Sequence, residues 1–114
     1  KDGEYLIGRR PSAGFLGGLW EFPGGKIQQG ENAQNALVRE CREELGVEVR
    51  VGGLIAIANH AYTHFKVTLN VYRCSIIKGR PKAHTHTELR WVSAEQFKDY
   101  AFPKGNHKFL HLLD

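Results

Sequence analysis

The sequence of 114 residues has no methionine, only two cysteines, and no apolar run longer than Leu54 to Ala58. Each shortage removes a class of protein. A run that short cannot cross a bilayer, which takes roughly 20 apolar residues in a helix. No charged-then-apolar leader opens the chain, so neither a membrane span nor an exported precursor is expected, and the chain reads as cytoplasmic. Cys41 and Cys74 lack the paired spacing of a zinc site or redox motif and are expected as two reduced core thiols. The missing methionine and the start at Lys1 lead us to expect a trimmed or excised piece with residues upstream. There is no internal repeat, low-complexity tract or linker, and residues 1–114 read as one domain.

What is present is a basic balance. Sixteen Lys and Arg against 12 Asp and Glu give a net charge of +4, which inclines the surface toward anionic partners such as nucleotides or nucleic acid. Gly14, Gly17, Gly18, Gly24 and Gly25 crowd one short segment and mark it as tightly turned. Before it, Tyr5 to Ile7 reads as a short strand. After it, residues 32–45 form a run free of Pro and Gly, with Asn32 as N-cap and Gly46 as stop, which predicts a helix. Val47, Val49 and Val51, then Leu54 to Ala58, then Phe65, Val67, Leu69 and Val71, carry strand patterns; a slip in alternation at Arg73–Cys74 suggests a bulge. Leu89 to Val92 predicts another strand. Ser93 and Gln96 have capping-box spacing ahead of a short helix, and a terminal helix is expected from Asn106, with Phe109, Leu110, Leu112 and Leu113 on its apolar side. Such an order implies an α/β or α+β sandwich, helices packed on a mixed sheet.

The residues between the caps carry the chemistry. At about 100° per residue with Glu40 at zero, Glu43 falls near 300° and Glu44 near 40°, while Leu37, Val38, Cys41 and Leu45 cover roughly 60° to 160°. Three carboxylates therefore share a face beside the apolar stripe. Arg39 and Arg42 project near 260° and 200°, so the acidic face is not expected to be neutralised by i,i+4 pairing from them. Crowded carboxylates persist when a cation neutralises them, and hard oxygen donors suit Mg²⁺ or Mn²⁺. On the glutamates alone, a solvated acidic face is the simpler reading.

The neighbourhood changes that reading. Gly25-Lys26-Ile27-Gln28-Gln29-Gly30-Glu31, then Arg39-Glu40-Cys41-Arg42-Glu43-Glu44-Leu45-Gly46-Val47, resembles the Nudix box over residues 25–47. Trp20-Glu21-Phe22-Pro23-Gly24-Gly25 looks like the approach to that box in MutT-type hydrolases. The resemblance implies an α/β/α sandwich, with a first strand that would precede Lys1, and hydrolysis of a nucleoside diphosphate linked to another group with Mg²⁺ (or Mn²⁺) as cofactor. It implies Glu40 and Glu44 as principal metal ligands, with Gly25 also at the metal. Glu43 would be a further ligand or, with Glu40, a candidate for orienting the water. Arg39 would orient Glu31 or a box carboxylate.

The resemblance also reaches the flanks. Asn106, in Phe102-Pro103-Lys104-Gly105-Asn106, matches an Asn that recognises an oxidised guanine; capping of the last helix is its other reading. Arg10 matches an Arg that contacts the nucleotide. Phe22 is a candidate for the base pocket or for the core, and Glu88 sits where several such enzymes carry an additional acidic ligand or base. His60, His64, His84, His86, His107 and His111 do not make a zinc site by their spacing. They are expected to be solvated or locally hydrogen-bonded.

A second resemblance runs beside the first. His60-Ala61-Tyr62-Thr63-His64-Phe65, Arg90-Trp91-Val92 and Phe102-Pro103 look like the Nudix-like C-terminal domain of adenine DNA glycosylases. It implies that Tyr62, Thr63 and His64 meet an oxidised guanine in DNA, by binding and not hydrolysis. Against it, every glutamate of the box is present. Sequence alone thus points to a nucleoside triphosphate pyrophosphohydrolase acting on a nucleotide such as 8-oxo-dGTP, as monomer or homodimer. A DNA-recognition module and a Nudix enzyme on another nucleotide such as CTP are the alternatives.

Overall fold

The computed structural model describes residues 3–113. Asn32 and Gly46 bound the helix that their chemistry predicts, α1 at Ala33–Leu45. The Asn32 side chain accepts the Asn35 amide at 2.8 Å, satisfying a donor that the first turn leaves open. At the other end Gly46 takes the left-handed conformation, with φ of 70°, and its amide donates to the Arg42 carbonyl.

Five strands accompany it: β1 Glu4–Arg9, β2 Trp20–Glu21, β3 Glu48–Ala61, β4 Lys66–Lys78 and β5 Glu88–Ser93. They form a three-stranded sheet in the order β2-β1-β5 and a two-stranded sheet of β3 and β4. The expected mixed sheet is antiparallel in each of its described pairings. The two separate strands expected over 47–51 and 54–58 join into one, because Gly52 and Gly53 are absorbed as a local irregularity and do not turn the chain. Register shifts between Val51, Leu54 and Ala56, opposite Cys74, Tyr72 and Val71, put extra residues on β3, and a third between Glu48 and Val49, opposite Lys78 and Ile76, puts Ile77 extra on β4, so the irregularity of β4 lies at Ile77 and not at Arg73–Cys74.

Alternation along β1 explains the layering. Ile7 enters a core with Trp20, Ala58, Val92, Phe97, Phe102, Phe109 and Leu113, and Tyr5 packs against that same core. Leu6, between them, packs against Cys41, Leu45, Val47 and Val49 under α1. One strand thereby separates the α1 layer from the C-terminal layer. That last layer is built from 3-10 turns at Ala94–Asp99, Lys104–Lys108 and Leu110–Leu112 in place of the two expected α-helices. Ser93 and Gln96 do form a capping box. The segment after Pro103 is too short to sustain a cooperative α-helix, and it buries Phe109 and Leu113 through i,i+3 bonds such as Leu113 to Leu110 at 3.1 Å. Asn106 therefore lies inside a turn, and Pro103, not Asn106, occupies the cap position. Cys41 is buried as expected, whereas Cys74 is exposed and both thiols are free. No helix among the described residues is long and apolar enough to cross a membrane.

The loop after β4 locks the end of α1. Lys82 and His84 amides donate to the carbonyls of Leu45 and Glu44 at 3.0 and 3.1 Å, and His84 Nδ1 lies 3.1 Å from the Glu43 carbonyl. These bonds satisfy acceptors that a helix C-terminus leaves open. A Cβ at Gly46 would stand 2.9 Å from the His84 ring. Gly46→Ala is therefore expected to destabilise the fold by about 1–2 kcal/mol, from the left-handed backbone alone, read as a lower midpoint in urea denaturation at unchanged m-value.

Candidate active site

Glu40, Glu43 and Glu44 line one cleft together with Arg10, Pro11, Glu21, Thr85 and His86, enclosing about 340 Å³. Three parts of the chain meet there. α1 supplies the three glutamates, the β1 end and β2 supply Arg10 and Glu21, and the loop before β5 supplies Thr85 and His86.

Arg39 organises the acidic side. Its Nε and Nη2 grip Glu31 bidentately at 2.7 and 3.1 Å, and Nη1 donates to Glu40 and to Glu43, each at 3.1 Å. Nη2 also reaches the Lys26 carbonyl at 2.9 Å. The expectation that Arg39 leaves the acidic face unneutralised is thus wrong, since a long guanidinium stem reaches back across the helix to an i,i+4 partner that its backbone direction does not indicate. Arg42 turns away instead to Glu48 at 2.7 and 2.8 Å. Gly25 is pressed against Glu40, where a Cβ would fall on the carboxylate.

Burial pushes the Glu44 carboxyl up to about 7; the Gly24 amide, donating at 3.2 Å, opposes this, and the neighbouring charge of Glu40 adds to it. Burial likewise raises Glu40, with Glu43 adding to the rise and Arg39 opposing it. Glu21 is the reverse case. Burial raises it, yet hydrogen bonds from His86 and Arg10, both at 2.8 Å, outweigh that and hold it below the ordinary carboxylate range. His86 is raised by the same bond to Glu21.

These values test the fit of a cation. The donors are all hard carboxylate oxygens, and burial leaves two of them resisting ionisation, a condition that a divalent ion such as Mg²⁺ relieves. Among the described residues no three such side chains converge as a ready ligand set. Arg39 draws Glu40 and Glu43 to itself and Glu44 turns to Gly24. The residues fit a hard divalent ion by their chemistry.

Other sequence candidates lie elsewhere. Glu88 is held by Arg9 at 3.3 Å and Arg90 at 2.9 Å and does not line the cleft. Phe22 stacks on Phe102 with centroids 5.4 Å apart and touches Phe97 and Phe109, half-buried against the C-terminal core. Tyr62, Thr63 and His64 form the turn between β3 and β4, as a simple entry into the long strand would. Tyr62 packs edge-on to Phe15 and accepts the Gly105 amide at 3.3 Å, bringing the hairpin end to the segment that carries Asn106. Neither that turn nor Asn106 lines the glutamate cleft. Sequence reasoning assigned no role to Glu21 or His86, whose 2.8 Å contact joins residues 65 apart along the chain.

A sandwich that presents a loop-helix-loop with three glutamates to one cleft is the architecture of a Nudix hydrolase. Residues 1–112 match the NUDIX domain family, and the chain belongs to it. It is 38% identical over 100 residues to a CTP pyrophosphohydrolase of Escherichia coli, covering 88% of this chain and 74% of that protein. Identity is 40% over 101 residues with a putative 8-oxo-dGTP diphosphatase 2 of Mycobacterium tuberculosis, covering 82% and 67%. An adenine DNA glycosylase of Rattus norvegicus is 29% identical, and the chain spans 22% of its length. The crystal structure of a MutT protein from Methanosarcina mazei superposes with a TM-score of 0.88 at 28% identity, covering all of this chain and 85% of that one.

The raised Glu44 predicts a stability test. Its neutral form favours the metal-free fold fully below about pH 4.5, and that contribution is lost as pH rises through about 7. Glu44→Gln is accordingly expected to raise the melting temperature of the metal-free protein at pH 8 and to leave it nearly unchanged at pH 4.5. Thermal melts in a chelator at the two pH values decide this.

Proposed function

We propose that the chain is a Mg²⁺-dependent nucleoside triphosphate pyrophosphohydrolase, converting a nucleoside triphosphate and water to the monophosphate and pyrophosphate. The observation that carries this reading is a cleft lined both by three α1 glutamates and by Arg10. Glu40 and Glu44 would hold the cation, with Glu43 and the Gly25 backbone beside them. When bound, the cation supplies positive charge to the phosphate oxygens. Arg39 holds Glu40 and Glu43 in place, and either would be a candidate for orienting the water that attacks phosphorus. Arg10 offers its remaining guanidinium N–H groups to the phosphates. The expected setting is the cytoplasm, with the nucleotide as partner and a monomer or homodimer as the working form.

An oxidised purine nucleotide such as 8-oxo-dGTP is the favoured substrate, on the resemblance of residues 20–25 and of the Asn106 segment to MutT-type enzymes. CTP is the second reading, supported by the 38% identity to a CTP pyrophosphohydrolase. A lesion-binding role would use the Tyr62–His64 turn, and the assembled carboxylate cleft favours hydrolysis over it.

The test is release of pyrophosphate from 8-oxo-dGTP, CTP and the common nucleotides in Mg²⁺. We expect turnover on at least the first, a loss of about two orders of magnitude or more in Glu44→Gln, and complete loss on chelation that Mg²⁺ or Mn²⁺ reverses. Folded protein that releases no pyrophosphate above blank from any of them would overturn the hydrolase reading in favour of binding.

A further inference from the structure

We propose that His86 is a positioning residue of the nucleotide site, acting through Glu21 to hold Arg10 at the cleft. This rests on the reading of Arg10 as a phosphate contact. His86 is the buried polar residue of the described chain, with 2% of its side chain exposed. A buried imidazole is costly where an apolar side chain would fill the same space. The cost is compounded here, because Nδ1 is buried with no partner among the described residues. Only Nε2 is used, on Glu21 Oε2 at 2.8 Å.

The surroundings make room for that one contact. Gly8 pairs with Glu21 across β1 and β2, and a Cβ on Gly8 would stand 2.7 Å from the His86 ring. The ring therefore lies over a bare stretch of β1 and meets Glu21 from the interior. The second oxygen of Glu21 accepts Arg10 Nη1 at 2.8 Å. Both carboxylate oxygens are thus committed, one inward and one outward. Arg10 keeps Nε and Nη2 without partners among the described residues, a two-donor edge suited to a phosphate. Without His86, Glu21 would be tethered on one side only. Arg10 would then lose its fixed direction while remaining present.

A positioning role of this kind predicts weaker substrate binding at intact chemistry. His86→Leu is expected to raise KM for the hydrolysed nucleotide roughly tenfold, with kcat held within about threefold, as for loss of one charge-assisted hydrogen bond. His86→Gln, whose amide nitrogen reaches the Nε2 position, is expected to restore most of the loss. Gly8→Ala removes no polar group and displaces the ring, and the same rise in KM is expected from it, which keeps the test open where His86→Leu does not fold. In an Arg10→Ala background, His86→Leu is expected to add less than twofold.

An unchanged KM in folded His86→Leu, or an undiminished further loss on top of Arg10→Ala, would overturn the proposal. So would a fall in kcat alone. The same variants compared by calorimetry for inorganic pyrophosphate need no turnover. A wild-type chain that hydrolyses no nucleotide would therefore sink the proposed function, while the role of His86 is decided by whether its loss weakens pyrophosphate binding.

Discussion

Everything at the cleft depends on the guanidinium of Arg39. Four acidic side chains, Glu31, Glu40, Glu43 and Glu44, lie along or against one short helix, and like charges at this spacing repel. Arg39 answers three of them at once through Glu31, Glu40 and Glu43. A lysine could not reproduce that arrangement, because a single ammonium has no planar fork to divide among several carboxylates. By also reaching the Lys26 carbonyl, the same group pins the glycine-rich loop over the helix. The loop's approach, the carboxylate rotamers and the local charge balance are therefore one problem with one solution.

The protein separates its charges by depth. A net charge of +4 coexists with a strongly acidic cleft. The basic excess attracts polyanions at long range, and the cleft is suited to receive a small cation at short range. Glu21 lies at the border between the two and is tied to Arg10 on the outside and His86 on the inside. The acidic and basic walls of the cleft meet at that side chain.

How far the sequence could be read follows from the range of each interaction. Asn32 and Gly46 act on backbone groups a few residues away, so the helix and its ends were legible. The box glutamates lie within one turn and a half, so their shared face followed from helical geometry. The reach of Arg39 did not, because a flexible side chain is not confined to its own backbone direction. Glu88 was unreadable for a different reason: its partner Arg9 faces it only through the antiparallel register of β1 and β5. The Tyr62–His64 turn and Phe22 were legible as local structure, whereas the destination of each depended on which layer its strand faced. His86 was expected to be solvated or locally hydrogen-bonded, since nothing near it in sequence announces a carboxylate brought in from β2.

The long hairpin of β3 and β4 joins neighbours in sequence, and α1 packs on the strand that directly follows it. The pairing of β1 with β5 joins segments about 80 positions apart, such as Arg9 with Glu88. Contacts of such different span differ in the loop entropy that must be overcome before they form. The hairpin and helix can assemble as a local unit, and the closing of β1 on β5 is the step that carries Arg10 and Glu21 to the glutamates. The cleft is consequently a product of long-range closure of the chain, and a molecule with only its local contacts formed would carry all three glutamates without a site.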